Sequence, residues 1–141
     1  MGTRVRQRHD AAFAMPRILL IEDDPFCSEL VRAQLGGAQL QCVCTLRDAL
    51  ACLAAEPFDV VITDLGLPDS MGLATLQALR AATPCPIIVL SGNDAASRAA
   101  LEGGAYAFLP KDRMPAEALS SLISAAADGA SGNGRFASRY Q

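Results

Sequence analysis

Five short apolar runs recur along the chain, each followed by a polar loop and then by residues at helical spacing. The runs cover residues 18–21, 40–44, 60–62, 87–90 and 106–109. Such runs are of strand length and too short for helices, and several are rich in β-branched residues. Strands that alternate with helices cannot pair as hairpins, and they argue a parallel sheet with helices on both faces. The third run is the most informative. Val60, Val61 and Ile62 read as a strand buried on both faces, and it ends in Asp64 before a loop holding Gly66, Pro68 and Gly72. A carboxylate there opens into the crevice where open α/β sheets bind ligands, although it could also merely cap the strand end or the next helix.

The helices have legible limits. Asp24 suits the N-cap and Pro25 the first position of the first helix. Phe26 and Leu30, with Cys27, Val31 and Leu35, recur at helical spacing until Gly36 and Gly37. The run 40–44 is more polar and suits an edge strand. Leu46, Ala49, Leu50 and Leu53 mark the second helix, closed by Pro57, and Leu73, Leu76 and Leu79 mark the third. Pro84 and Pro86 bracket the entry to the fourth strand. Asn93 or Asp94 caps an alanine-rich fourth helix, with Leu101 its one large apolar residue, that stops at Gly103 and Gly104. Pro115 opens a fifth helix with Leu119, Leu122, Ile123 and Ala126 inward.

The 141 residues suffice for one domain with a sizeable core, and no internal repeat is visible. Net charge is −3, so there is no electrostatic case for direct nucleic-acid contact. No apolar run approaches the roughly 20 residues that span a membrane. Residues 1–16 carry Arg4, Arg6, Arg8 and His9 without an apolar core, which reads as a disordered tail and not a secretory signal; the chain is expected to be cytoplasmic. From residue 128 the composition turns to Gly, Ser and Asn, a flexible end or the start of a linker. Cys27, Cys42, Cys44, Cys52 and Cys85 form no Cys-x-x-Cys and are expected to be reduced, buried thiols.

The polar residues at the strand ends form a set. Glu22 and Asp23 follow the first strand, Asp64 the third, Ser91 the fourth and Lys111 the fifth. In a doubly wound sheet these ends share one edge. Carboxylates gathered there repel, so one must protonate or a cation must join them, and a compact all-oxygen site suits Mg²⁺. A hydroxyl and an ammonium alongside would complete a receptor for a phosphoryl group, with Asp64 as the nucleophile.

With these motifs in order, the chain resembles the receiver domain of two-component response regulators over residues 17–127. The resemblance rests on Ile21-Glu22-Asp23-Asp24-Pro25, on Asp64-Leu65-Gly66-Leu67-Pro68 with Gly72 behind it, on Val89-Leu90-Ser91-Gly92, and on the run from Gly104 to Lys111. It implies a flavodoxin-like sheet of order 2-1-3-4-5 flanked by five helices, and a phosphorylation-dependent signalling switch. It also implies that Asp64 is the phosphoacceptor and Asp23 the direct Mg²⁺ ligand. Glu22 is then the second acid, acting through water, and the Gly66 carbonyl the third protein ligand. Ser91 becomes the switch hydroxyl, Lys111 the phosphate-pairing lysine, and Phe108 the aromatic whose inward or outward position reports activation.

The implied partners are a sensor histidine kinase or phosphotransfer protein. A downstream effector, or a second copy of the chain on activation, would be met on the face of the fourth helix, fifth strand and fifth helix. The domain would promote its own phosphorylation and dephosphorylation without a separate turned-over substrate. One position departs from the family pattern. Asp112 follows Lys111 where the family often has proline, which removes the proline-based reason for a cis bond.

Two rivals are weaker. A small aspartyl-phosphate phosphohydrolase would need an acid where Gly66 stands, or a cap domain. A pseudo-receiver that only binds proteins would not need the complete acid, hydroxyl and lysine set. No DNA-binding, cyclase or kinase segment follows the fifth helix, so the chain either works as a single domain or belongs to a longer protein.

Overall fold

A computed structural model describes residues 16–36, 39–92, 94–111 and 117–128. Five strands form the central sheet: β1 (Arg17–Ile21), β2 (Gln39–Val43), β3 (Val60–Asp64), β4 (Ile87–Ser91) and β5 (Ala107–Pro110). They alternate with α1 (Pro25–Gln34), α2 (Leu46–Ala55), α3 (Leu73–Ala82), α4 (Asp94–Glu102) and α5 (Ala118–Ala127). All four pairings are parallel and the order is β2-β1-β3-β4-β5, the arrangement the sequence implies.

Burial on both faces explains why the central strands read as unbroken apolar runs. Residues 18–21 of β1, 60–62 of β3 and 87–90 of β4 have no solvent exposure. The edge strand β2 is half-exposed, which explains its mixed composition. The other edge, β5, is buried along its whole length and ends in Pro110, which cannot donate to a ladder.

The register sets the site. Ile21 pairs with Thr63, Thr63 with Val89, and Val89 with Phe108; one row further, Asp64 pairs with Leu90, and beyond that Ser91 pairs with Pro110. The polar residues after each strand therefore emerge within about two rows along one sheet edge.

Local signals hold well. The Asp24 carboxylate accepts from the Phe26 N–H, with Pro25 in the first turn, and Thr45 caps α2 by accepting from the Asp48 N–H. Gly36 and Gly104 have positive φ at the ends of α1 and α4. Leu119, Leu122, Ile123 and Ala126 are buried as expected.

Other assignments shift. Strands β2 and β5 lie one residue off the expected runs. On α1 only Cys27, Val31 and Leu35 face the core, whereas Phe26 is 80% exposed and Leu30 is also exposed. Two i, i+4 pairs on one helix compete for the inward face, and the sheet covers only one of them. Leu73, in the first turn of α3, is also exposed, while Thr75, Leu76 and Leu79 face the core. All five cysteines are free, but only Cys27 is buried; Cys42, Cys52 and Cys85 are half-buried, and Cys44 is exposed beyond the end of β2. The tail at residues 1–15, Gly37, the Asn93 cap, the Lys111–Asp112 bond, Pro115 and residues 129–141 lie outside the described residues.

Candidate active site

Asp64 ends β3 and is held by both carboxylate oxygens. Its Oδ1 accepts the Gly66 N–H at 3.1 Å, and its Oδ2 accepts Lys111 Nζ at 2.8 Å. The neighbouring Thr63 hydroxyl donates to the Asp64 carbonyl at 2.7 Å, which fixes the strand end. Lys111 reaches Asp64 because β5 stops at Pro110 in register with Ser91, and the Lys111 N–H donates to the Ser91 carbonyl at 3.0 Å.

Glu22 is only 2% exposed. Its Oε2 accepts the Asp24 N–H at 3.0 Å, while Oε1 lies 3.2 Å from Lys111 Nζ without an aligned hydrogen-bond donor. Asp23 is exposed at the rim. Carboxylate oxygens of Glu22, Asp23 and Asp64 all lie within 4.8 Å of one another.

The electrostatics follow from this crowding. Burial, and then the charge of Asp64, push the Glu22 carboxyl above the usual carboxylate range against the opposing Asp24 N–H. Burial opposes the charge on Lys111, but its hydrogen bond to Asp64 and the charges of Asp64 and Glu22 outweigh burial and hold the ammonium above its ordinary value. Cys27, on the first turn of α1, is pushed up to about 12 by burial and by the charge of Glu22, so its thiol stays neutral. Among the described residues, one ammonium faces three acids, a deficit of two charges when all three are ionised. An all-oxygen donor set with that deficit fits a hard divalent cation such as Mg²⁺.

Glu22, Asp23, Asp64 and Lys111 are thus brought together, with Gly66 bonded to Asp64. Ser91 is buried at the end of β4, one row beyond Asp64, and Phe108 points inward at 2% exposure.

Several contributors were not legible in the sequence. Residues Gly66–Leu67 and Ser70–Met71 pair as a small antiparallel hairpin. Thr75 is fully buried; its hydroxyl lies 2.6 Å from that of Ser70 and donates to the Leu65 carbonyl at 3.3 Å. Asp69, at the hairpin tip, accepts from α2. Pro68 and Asp69 are turn-forming residues, but the N–H groups that Asp69 meets lie 22 and 23 residues earlier.

The response regulator receiver domain model matches residues 18–123. The chain belongs to that family. The transcriptional regulatory protein AruR of Pseudomonas aeruginosa is 36% identical over 115 residues, which cover 75% of this chain and 47% of the relative. KdpE of Mycobacterium tuberculosis is 39% identical over 101 residues, covering 69% and 45%. The chain therefore spans about half the length, or less, of the curated relatives it matches. Among solved structures, a CheY-like receiver domain protein from Methanospirillum hungatei has a TM-score of 0.72 at 25% identity, covering 82% of this chain and 96% of that one. A receiver domain protein from Clostridium thermocellum has a TM-score of 0.73 at the same identity and the same coverage. As a receiver domain, the chain is of the class that works as a phosphorylation-dependent signalling switch and meets a histidine kinase or phosphotransfer partner.

Proposed function

We propose that Asp64 is the phosphoacceptor of this receiver domain and that residues 17–127 form the signalling unit. The observation that carries the reading is the Lys111 ammonium, 2.8 Å from the Asp64 carboxylate and 3.2 Å from that of the buried Glu22.

An Asp64 carboxylate oxygen attacks the phosphorus of a phosphohistidine on a sensor kinase or phosphotransfer protein. The new P–O bond forms as the P–N bond breaks, and the bonding pair leaves with the imidazole nitrogen. Lys111 neutralises charge on the transferring oxygens, and its hydrogen bond to Asp64 and ion pair with Glu22 set its position beforehand. Asp23, Asp64 and the Gly66 carbonyl would hold Mg²⁺ directly, with Glu22 acting through water. When bound, Mg²⁺ supplies charge neutralisation for the phosphoryl oxygens. Water attack on the aspartyl phosphate in the same pocket returns the domain to its starting state, so no separate substrate is turned over.

Ser91 is the switch hydroxyl in this reading; its movement toward the phosphoryl group vacates space beside β5, which the Phe108 ring fills. The face of α4, β5 and α5 then meets a downstream effector or a second copy of the chain. The setting is cytoplasmic, where kinases have ATP. No helix among the described residues is long and apolar enough to cross a membrane.

Intact-mass measurement after incubation with acetyl phosphate and Mg²⁺ tests the assignment. One phosphoryl adduct, labile in base and lost in Asp64→Asn, is expected. A persistent adduct on a folded Asp64→Asn protein would reassign the acceptor.

A further inference from the structure

The loop after Asp64 is tied at its tip to a helix that precedes it in the chain. Asp69 Oδ1 accepts the Leu46 N–H at 2.9 Å and Oδ2 accepts the Arg47 N–H at 3.0 Å. Leu46 and Arg47 are the first two residues of α2, where N–H groups have no acceptor within the helix. Thr45 answers the N–H of Asp48 and leaves these two open. A carboxylate is also favoured there by the helix dipole.

The rest of the loop shows what that tie holds. Gly66 pairs with Met71 and Leu67 with Ser70, while the Leu65 carbonyl accepts the Gly72 N–H at 2.8 Å. A two-residue ladder holds little by itself. Its base is fastened by Thr75 and by the buried Leu65 and Leu67, but Pro68 and Asp69 at the tip are solvent-exposed. The bonds of Asp69 to α2 therefore restrain the free end of a hairpin whose other end carries the Gly66 N–H on Asp64.

We propose that Asp69 is a positioning residue for the phosphoacceptor pocket: by clamping the hairpin tip to α2, it holds Gly66 in place against Asp64. The proposal rests on the reading of Asp64 as phosphoacceptor. Asp69 touches no reacting atom and acts through the backbone of the hairpin. Coupling of this kind is reciprocal. If the clamp favours the pocket arrangement that takes a cation, a cation in the pocket must favour the clamp. The Leu46 and Arg47 amides, on a different helix, then become reporters of the pocket.

The test uses the full chain with Mg²⁺ as the probe. Metal affinity and amide exchange are measured in the unmutated protein, Asp69→Ala, Asp69→Asn and, as pocket control, Asp64→Asn. Mg²⁺ should slow exchange at Leu46 and Arg47 in the unmutated protein. Asp69→Ala should weaken Mg²⁺ binding about threefold to tenfold, the range of a lost cap contact. Asp69→Asn, which keeps one acceptor oxygen, should fall between. Exchange at these two amides that ignores Mg²⁺ overturns the proposal however the variants fold, and reduces Asp69 to a helix cap. In that outcome, metal binding that is still lost in Asp64→Asn leaves the phosphoacceptor reading standing. An unmutated protein that binds no Mg²⁺ overturns both.

Discussion

Replacing Lys111 by methionine keeps most of the side-chain volume and removes the ammonium that faces Asp64 and Glu22. At 2.8 Å the pair with Asp64 is worth about 1.5 kcal/mol of Coulomb attraction in a water-like medium and about 6 at an effective dielectric of 20. Lysine desolvation opposes this in the native protein. Truncating one partner of a fully buried pair costs about 3–5 kcal/mol, because the other charge is left alone. Here the side chains of Lys111 and Asp64 are 24% and 17% exposed, so solvent softens the loss. The Glu22 side chain has no exposure and keeps only the Asp24 N–H. The balance is about 2 kcal/mol at neutral pH, or about 8 °C in Tm for a domain of this size.

The loss should depend on pH. Glu22 already has a raised folded pKa, and removing Lys111 raises it further. Below that folded value the carboxyl is protonated and its unpaired charge disappears. The variant should therefore lie closer to the unmutated protein in mild acid and diverge as pH rises through the folded pKa of Glu22. Lys111 itself does not titrate there: its folded pKa lies above the ordinary 10.5, so its contribution is complete below that pH and fades only as pH climbs through the raised value. Thermal unfolding at several pH values, without metal, is the assay. A loss equal at pH 5 and pH 8 would show that an uncompensated Glu22 is not what Lys111 relieves. Restoration of Tm by adding Glu22→Gln to Lys111→Met would confirm that it is.

Three further outcomes are expected. Gly72→Ala should cost about 1–3 kcal/mol in urea unfolding, because φ +64° with ψ −143° admits glycine almost alone. No atom lies within 4 Å of the added Cβ, so the cost is one of backbone and not of crowding. Thr75→Val should cost about 1 kcal/mol by the same measurement, through the bonds to Ser70 and Leu65. Asp69 should titrate below 3.8 by carboxyl NMR, since the Arg47 and Leu46 N–H groups stabilise its anion; its stabilising effect is present above that pH and fades as pH falls through the depressed value.

The sheet and the acid cluster were legible because both are written locally. A strand buried on two faces reads as an apolar run, and the first polar residue after it must emerge at the sheet edge. That reasoning placed Glu22, Asp64 and Lys111, whose ammonium lies 3.2 Å from the first carboxylate and 2.8 Å from the second. The inward face of α1 was not legible, since Phe26 and Cys27 start equally good apolar stripes and only packing selects the second. The clamp at Asp69 was hidden for another reason. Its partners lie 22 and 23 residues earlier, and nothing in an aspartate after proline says which open helix N–H groups it will meet.

Lys111 also explains how chemistry at one strand can be felt at its neighbours. Its Nζ bonds to Asp64 at the end of β3, and its backbone N–H bonds to Ser91 at the end of β4. Three residues before it, Phe108 lies in register with Val89, which in turn lies in register with Thr63. A phosphoryl group on Asp64 would add negative charge beside an ammonium that is already shared with Glu22. The ammonium must then redistribute its bonds, because it cannot serve all the oxygens at once. Its backbone carries that change into the β4–β5 pair, whose register is fixed. The central strands are packed without solvent exposure and have little freedom to yield. Movement should therefore concentrate where packing is lightest, at the strand ends and in α4, whose large apolar content is limited to a partly buried Leu101.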